Sequence, residues 1–177
     1  SGLYKFLEDR STFLLAHDEI KRVASIENLS SKMEAPLVTT SGPKPPVVIN
    51  EVLASNKNSH KDPQGELEDW IELFNHGDVN VDLSGMYLSD DPENMFKWQI
   101  PSGTVLGAGK YLVIWADEDG GETGLHANFK LSAKGESITL VYRNVLVDKV
   151  EFGVQKSDVS SGPLGDMRGP WKELTPT

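Results

Sequence analysis

The chain has 177 residues, no cysteine and a formal net charge of −10. The missing cysteine excludes a disulfide scaffold, thiolate zinc sites and a cysteine nucleophile, and no stretch approaches the ~18 apolar residues that span a bilayer. The acidity lies past residue 46: the first 46 residues hold six basic and six acidic side chains, the remainder eleven and twenty-one, so the chain repels phosphate backbones and anionic lipid. Nucleic acid and membrane insertion are therefore not expected; cations and basic proteins are the better partners.

In chain order, residues 1–26 read as a helical appendage. Leu3, Phe6, Leu7, Phe13, Leu14 and Ile20 recur near helical spacing with charged residues between them, and a break near Ala16-His17-Asp18 divides the segment. The start at Ser1-Gly2 rather than Met suggests a processed piece of something longer. Residues 27–46 lose periodicity and end in Gly42-Pro43-Lys44-Pro45-Pro46, the composition of an extended Pro-rich linker. The expected domain covers 47–177.

From Val47 the pattern is one of short strands. Val47–Ala54 is the first. In Asp69–Asn75, Ile71 and Leu73 fall on one face and Trp70, Glu72 and Phe74 on the other. Met86–Ser89 and Phe96–Ile100 follow. The apolar run Tyr111–Ala116 predicts a central buried strand. Ala127–Leu131 is short, Ile138, Leu140 and Tyr142 alternate, and Leu146, Val150 and Phe152 share a face. Arg143-Asn144 predicts a two-residue hairpin turn. Seven or more short strands with Gly, Pro, Asp and Asn turns predict an all-β sandwich.

Three blocks carry a family resemblance: Val48-Ile49-Asn50-Glu51-Val52-Leu53-Ala54-Ser55-Asn56, then Asp69-Trp70-Ile71-Glu72-Leu73-Phe74-Asn75, then Val81-Asp82-Leu83-Ser84-Gly85-Met86-Tyr87-Leu88-Ser89-Asp90. With Lys97-Trp98-Gln99-Ile100-Pro101, Leu106–Asp117 and Gly135–Leu140 after them, residues 47–174 resemble a lamin-tail domain of the bacterial type. The resemblance implies an immunoglobulin-like β-sandwich that serves as a binding and scaffolding module in secreted or cell-surface proteins. The late turn departs from the family pattern, because Asn144 is followed directly by Val145, and so does the closing Ser160-Ser161-Gly162-Pro163-Leu164-Gly165-Asp166. Phe6–Leu15 is similar to the last helix of spore-coat-protein-H-like kinase domains, which implies a catalytic domain upstream.

Chemistry-bearing patterns are sparse. Asp117, Asp119 and Glu122, in a loop that Gly120 and Gly121 let curl, are the metal candidates, and calcium is the hard cation such oxygens suit. The loop does not have the twelve-residue calcium spacing, and a solvated acidic turn is the competing reading. Asp90-Asp91-Pro92-Glu93 and Asp62, Glu66, Glu68, Asp69 form two further acidic loops; a shared cation site requires that they meet at one end of the sandwich. His17, His60, His76 and His126 have no helix-face or zinc spacing and read as independent surface histidines. No Gly-x-Ser-x-Gly elbow or phosphate-cradling loop is present. Trp70 and Trp115 read as packing residues, whereas Trp98 and Trp171 are the candidates for a sugar-stacking surface.

The expectation is a non-catalytic module of a larger exported bacterial protein, making protein, cell-surface or carbohydrate contacts, with no cofactor. The alternative is an accessory C-terminal domain of a kinase-like or metal-dependent hydrolytic enzyme, using Asp117, Asp119 and a histidine.

Overall fold

The computed structural model describes residues 37–118, 123–163 and 169–176. The helical appendage expected over 1–26 lies outside them. A compact unit runs from Val38 to Thr177, and its described residues contain strands, turns and loops with no helix.

Twelve strands follow in chain order: β1 (Val47–Leu53), β2 (Asp69–Asn75), β3 (Val81–Asp82), β4 (Tyr87–Ser89), β5 (Trp98–Gln99), β6 (Val105–Leu106), β7 (Tyr111–Ala116), β8 (His126–Ala127), β9 (Glu136–Tyr142), β10 (Val145–Phe152), β11 (Ser160–Pro163) and β12 (Trp171–Leu174). One sheet has the order β12-β11-β1-β2-β7-β8, a second the order β10-β9-β4-β5, and β3 pairs with β6. The named pairings are antiparallel except that of β7 with β8. The two larger sheets share one apolar core. Ile49, Ile71 and Leu73 enter it from the six-stranded sheet, and Leu88, Leu140 and Val150 from the four-stranded one. This is a sandwich, and alternation of side chains along each strand is its cause.

The alternation breaks once in β1, and the break is structural. Ile49 pairs with Leu73, but the next pair is Glu51 with Glu72, so Asn50 is the extra residue of a β-bulge. The bulge resets the phase: Val47 and Ile49 before it, and Val52 and Ala54 after it, all join the core. Asn50 and Glu51 both turn to the outer face instead. A second register shift lies between Leu146 and Asp148 of β10. The Asp148 carboxylate accepts the Ile49 N–H at 2.8 Å, so this backbone donor of β1 is satisfied from the opposite sheet. Gly162 of β11 completes the arrangement, because a Cβ there would lie 2.6 Å from the Asn50 carbonyl oxygen.

Asn75 performs a similar service where β2 ends. Its fully buried amide donates to the carbonyls of Val79, Leu106 and Gly107 and accepts the Gly77 N–H, tying two loops to one strand end. The β9–β10 turn is the two-residue hairpin expected, with Arg143 at φ 48° and Asn144 at φ 60°, the left-handed pair of a type I′ turn. The segment expected as a linker contacts β10: Thr39 forms a parallel bridge with Val145, and Lys44 Nζ donates to the Val147 carbonyl.

Strand β7 corrects one expectation. Its first residues are not central: Tyr111 is 56 % and Val113 37 % exposed. Only Trp115 and Ala116 pair with β8, so the outer edge of Tyr111–Ile114 lacks a neighbouring strand among the described residues. An apolar run marks strand propensity but does not report whether the second edge is covered.

Two substitutions test this architecture. Leu73→Ala removes a core side chain of zero exposure and is expected to lower unfolding free energy by about 2–5 kcal/mol. Asp148→Ala leaves the buried Ile49 N–H without an acceptor and is expected to cost about 1–3 kcal/mol, while Asp148→Asn, which keeps a carbonyl oxygen, loses less. Equal urea midpoints for wild type and Asp148→Ala would contradict the role given to this contact.

Candidate functional site

The Asp62 loop reaches the described flank of the Asp117 loop. Gln64 Nε2 donates to the Thr123 carbonyl at 3.1 Å, joining the Asp62 loop to the segment after Asp117. The Glu136 carboxyl is held above its ordinary value by burial first and, beyond that, by the charges of Asp90 and Asp69. Glu68 is likewise raised, by burial first and then by the charges of Asp117, Glu66 and Asp69, with Lys130 opposing.

Proximity has not produced a metal centre among the described residues, where no group of three or more His, Asp or Glu side chains is placed to hold an ion. Several of the carboxylates serve the fold. Asp62 Oδ1 accepts the N–H groups of Gln64 and Glu66 at 3.0 and 2.7 Å, while its buried Oδ2 has no hydrogen-bond partner. Asp69 accepts the Asn56 N–H, and Asp90 pairs with Lys97 at 2.8 Å. Asp158, outside these loops, gathers the N–H groups of Lys57 and Asn58, and those bonds hold its carboxyl below its ordinary value. Of the three calcium candidates, Asp117 is buried and bonded to His126, while Asp119 and Glu122 lie outside the described residues.

His126 is not the surface histidine expected. Its side chain is almost fully enclosed, with Nδ1 2.5 Å from Asp117 Oδ2 and Nε2 3.1 Å from the Thr123 carbonyl. Both neighbours are acceptors, so the doubly protonated ring satisfies both contacts. The parallel pairing of Trp115 and Ala116 with His126 and Ala127 brings the imidazole to the end of β7, a juxtaposition that spacing in the sequence does not reveal. Among the described residues, Nε2 faces the Thr123 carbonyl rather than a hydroxyl.

The tryptophans divide as well. Trp70 and Trp115 are buried as expected, but with Leu53 they form a second cluster separate from the main core, on the outer face of the six-stranded sheet. His60 packs edge-on against Trp70 at 6.3 Å. Trp98 and Trp171 are partly buried against the main core.

The same outer face carries the feature that the sequence reading passed over. Glu51 and Glu72 stand directly opposite each other across β1 and β2, and with Asn50 and Tyr111 they line an open cavity of about 350 Å³. Asn50 Nδ2 donates to Glu72 Oε1 at 2.8 Å. Beside them the Phe74 and Tyr111 rings stack at 4.5 Å. The bulge at Asn50 brings Glu51 here; strict alternation would have sent it into the core with Ile49. Burial raises the Glu72 carboxyl above its ordinary value, with the Glu51 charge adding to the effect and the Asn50 bond opposing it. The ionised form of Glu72 is therefore disfavoured in the folded chain.

A family model for the lamin tail domain matches residues 40–153. The chain belongs to the lamin tail domain family, whose fold is the immunoglobulin-like sandwich. No curated protein matches the chain.

The raised carboxyls set a pH dependence. A carboxyl that binds its proton more tightly folded than unfolded favours folding while protonated. That contribution is present below the unfolded value of about 4.3 and lost as pH rises through the higher folded value. Glu72→Gln keeps an oxygen for Asn50 and removes the charge. It is expected to raise the melting temperature at pH 7 and to reduce the stability lost between pH 4 and 7. A variant that melts below wild type at pH 7 would show that the Glu72 charge does not oppose folding.

Proposed function

We propose that this chain is a non-catalytic contact module of a larger exported bacterial protein, holding a protein or cell-surface partner, with carbohydrate as the other ligand class its tryptophans admit. The observation that carries the reading is the contrast between the two regions just described. At the acidic end, most polar side chains are engaged in holding loops, and the His126–Asp117 pair faces a carbonyl. The outer face of the six-stranded sheet instead combines an edge of β7 with no neighbouring strand among the described residues, the exposed Tyr111 ring and the cross-strand carboxylates Glu51 and Glu72. Membership of an immunoglobulin-like family of structural and interaction modules supports the same reading, since function on such folds lies in the site rather than the fold.

The competing reading is a metal-dependent hydrolase that uses Asp117, Asp119 and a histidine, and the contact between Asp117 and His126 is the observation that favours it. Thermal unfolding after EDTA treatment, then with calcium or zinc added, separates the two readings. The contact-module reading expects an unchanged melting temperature and no metal-dependent turnover of ester or phosphoester substrates. A ligand that binds only the folded state at a hundred times its Kd adds about 2.7 kcal/mol. A rise of several degrees together with chelator-sensitive turnover would therefore replace the contact module with an enzyme.

A further inference from the structure

We propose that the open edge of β7 takes up an extended, basic segment of a partner protein as an added strand, with a lysine or arginine of that segment directed to Glu72. The inference deepens the contact-module reading and rests on it. It begins with backbone bonding. Asn75 N–H donates to the Lys110 carbonyl, and the register of β2 with β7 carries that alternation forward. Leu112 and Ile114 therefore turn their N–H and C=O groups toward β2, and Tyr111 and Val113 turn theirs outward. Trp115 confirms the phase, because its N–H points outward to the Leu125 carbonyl. Two donors and two acceptors, those of Tyr111 and Val113, thus face away from the sheet in line with β8.

Natural sheets guard such edges with inward charges, Pro or bulges. Tyr111-Leu112-Val113-Ile114 has none of these; Lys110 flanks it without interrupting it. The face beside the edge supplies selectivity. Glu72 is the cross-strand partner of Val113, so an added strand lies two inter-strand spacings from Glu72, about 10 Å. A long basic side chain passing over Val113 and a glutamate together bridge that gap, and the Tyr111 ring beside the cavity offers its face to the cation. The cation would offset the charge of Glu72, whose ionised form burial disfavours. A second copy of the chain is the weaker occupant, because each copy carries a net charge of −10 and like charges repel.

The test is titration of isotope-labelled chain with the synthetic peptide Lys-Val-Lys-Val-Lys-Val, followed by amide chemical shifts. The proposal expects saturable shifts centred on residues 111–114 and at Glu72, and loss of binding when alternate peptide nitrogens are methylated. It also expects affinity to weaken about tenfold or more in Glu72→Gln, the loss of one charged hydrogen bond. Val113→Pro blocks the outward N–H and should abolish binding; the methylated peptide makes the same test on unaltered protein. Equal binding of the methylated peptide would overturn the proposal. So would shifts centred on the Asp62 and Asp117 loops, or self-association through residues 111–114 without peptide. Metal-dependent turnover bears on the contact-module reading alone, whereas these shifts bear on the edge, so failure of one is distinguishable from failure of the other.

Discussion

The bulge at Asn50 is the constraint from which the rest of the molecule follows. Without it the period of two in β1 would place Glu51 beside Ile49 in the core, where an ionised carboxylate has several kcal/mol of desolvation against it. With it, Val47, Ile49 and Val52 of β1, and Ala54 just beyond it, face the core and Glu51 goes outward. The geometry is held from two sides: Asp148 accepts the Ile49 N–H from the opposite sheet, and Gly162 leaves room for the Asn50 carbonyl. Register, sheet-to-sheet contact and the composition of the outer face are therefore one problem with one solution.

That solution leaves a carboxylate pair on the outer face, and the pair links fold to function. The two glutamates oppose each other across a strand pair, line a cavity and border the stacked Phe74 and Tyr111 rings. A protein under selection for stability alone would lose nothing by replacing Glu72 with glutamine. Sites that lower stability locally are where binding function commonly resides, and here the site adjoins the one stretch of β7 whose backbone is unmatched among the described residues. The acidic end works in the opposite way, its loops being bound into the fold through Asp62, Asp69, Asn56 and the His126–Asp117 pair.

Much of the scaffold was legible in the sequence because it depends on local pattern. The alternation in Asp69–Asn75 separated Ile71 and Leu73 from Trp70, Glu72 and Phe74, and Arg143-Asn144 marked its turn through tolerance of positive φ. The strands β3, β6, β11 and β12, of two to four residues, are too short to show a period; β4, β5 and β8 are as short but fall in or against the longer stretches Met86–Ser89, Phe96–Ile100 and Ala127–Leu131. Three features lay beyond local pattern altogether. The phase change at Asn50 depends on Asp148 and Gly162, nearly a hundred residues and more away. The burial of His126 depends on a parallel pairing with Trp115. The exposure of Tyr111 and Val113 depends on β8 being only two residues long, so an apolar run that resembled a central strand has one edge open.

Residue-resolved amide hydrogen exchange tests the central claim most directly, because it reads that edge in the unaltered protein. If the outward half of β7 is open, the N–H groups of Tyr111 and Val113 exchange quickly while those of Leu112 and Ile114, bonded to β2, exchange near the global unfolding rate. Addition of a basic extended peptide then slows the first pair. Uniform strong protection across Tyr111–Ile114 without a ligand would contradict the account, since it would mean that the edge is already covered and that binding must be sought on another surface.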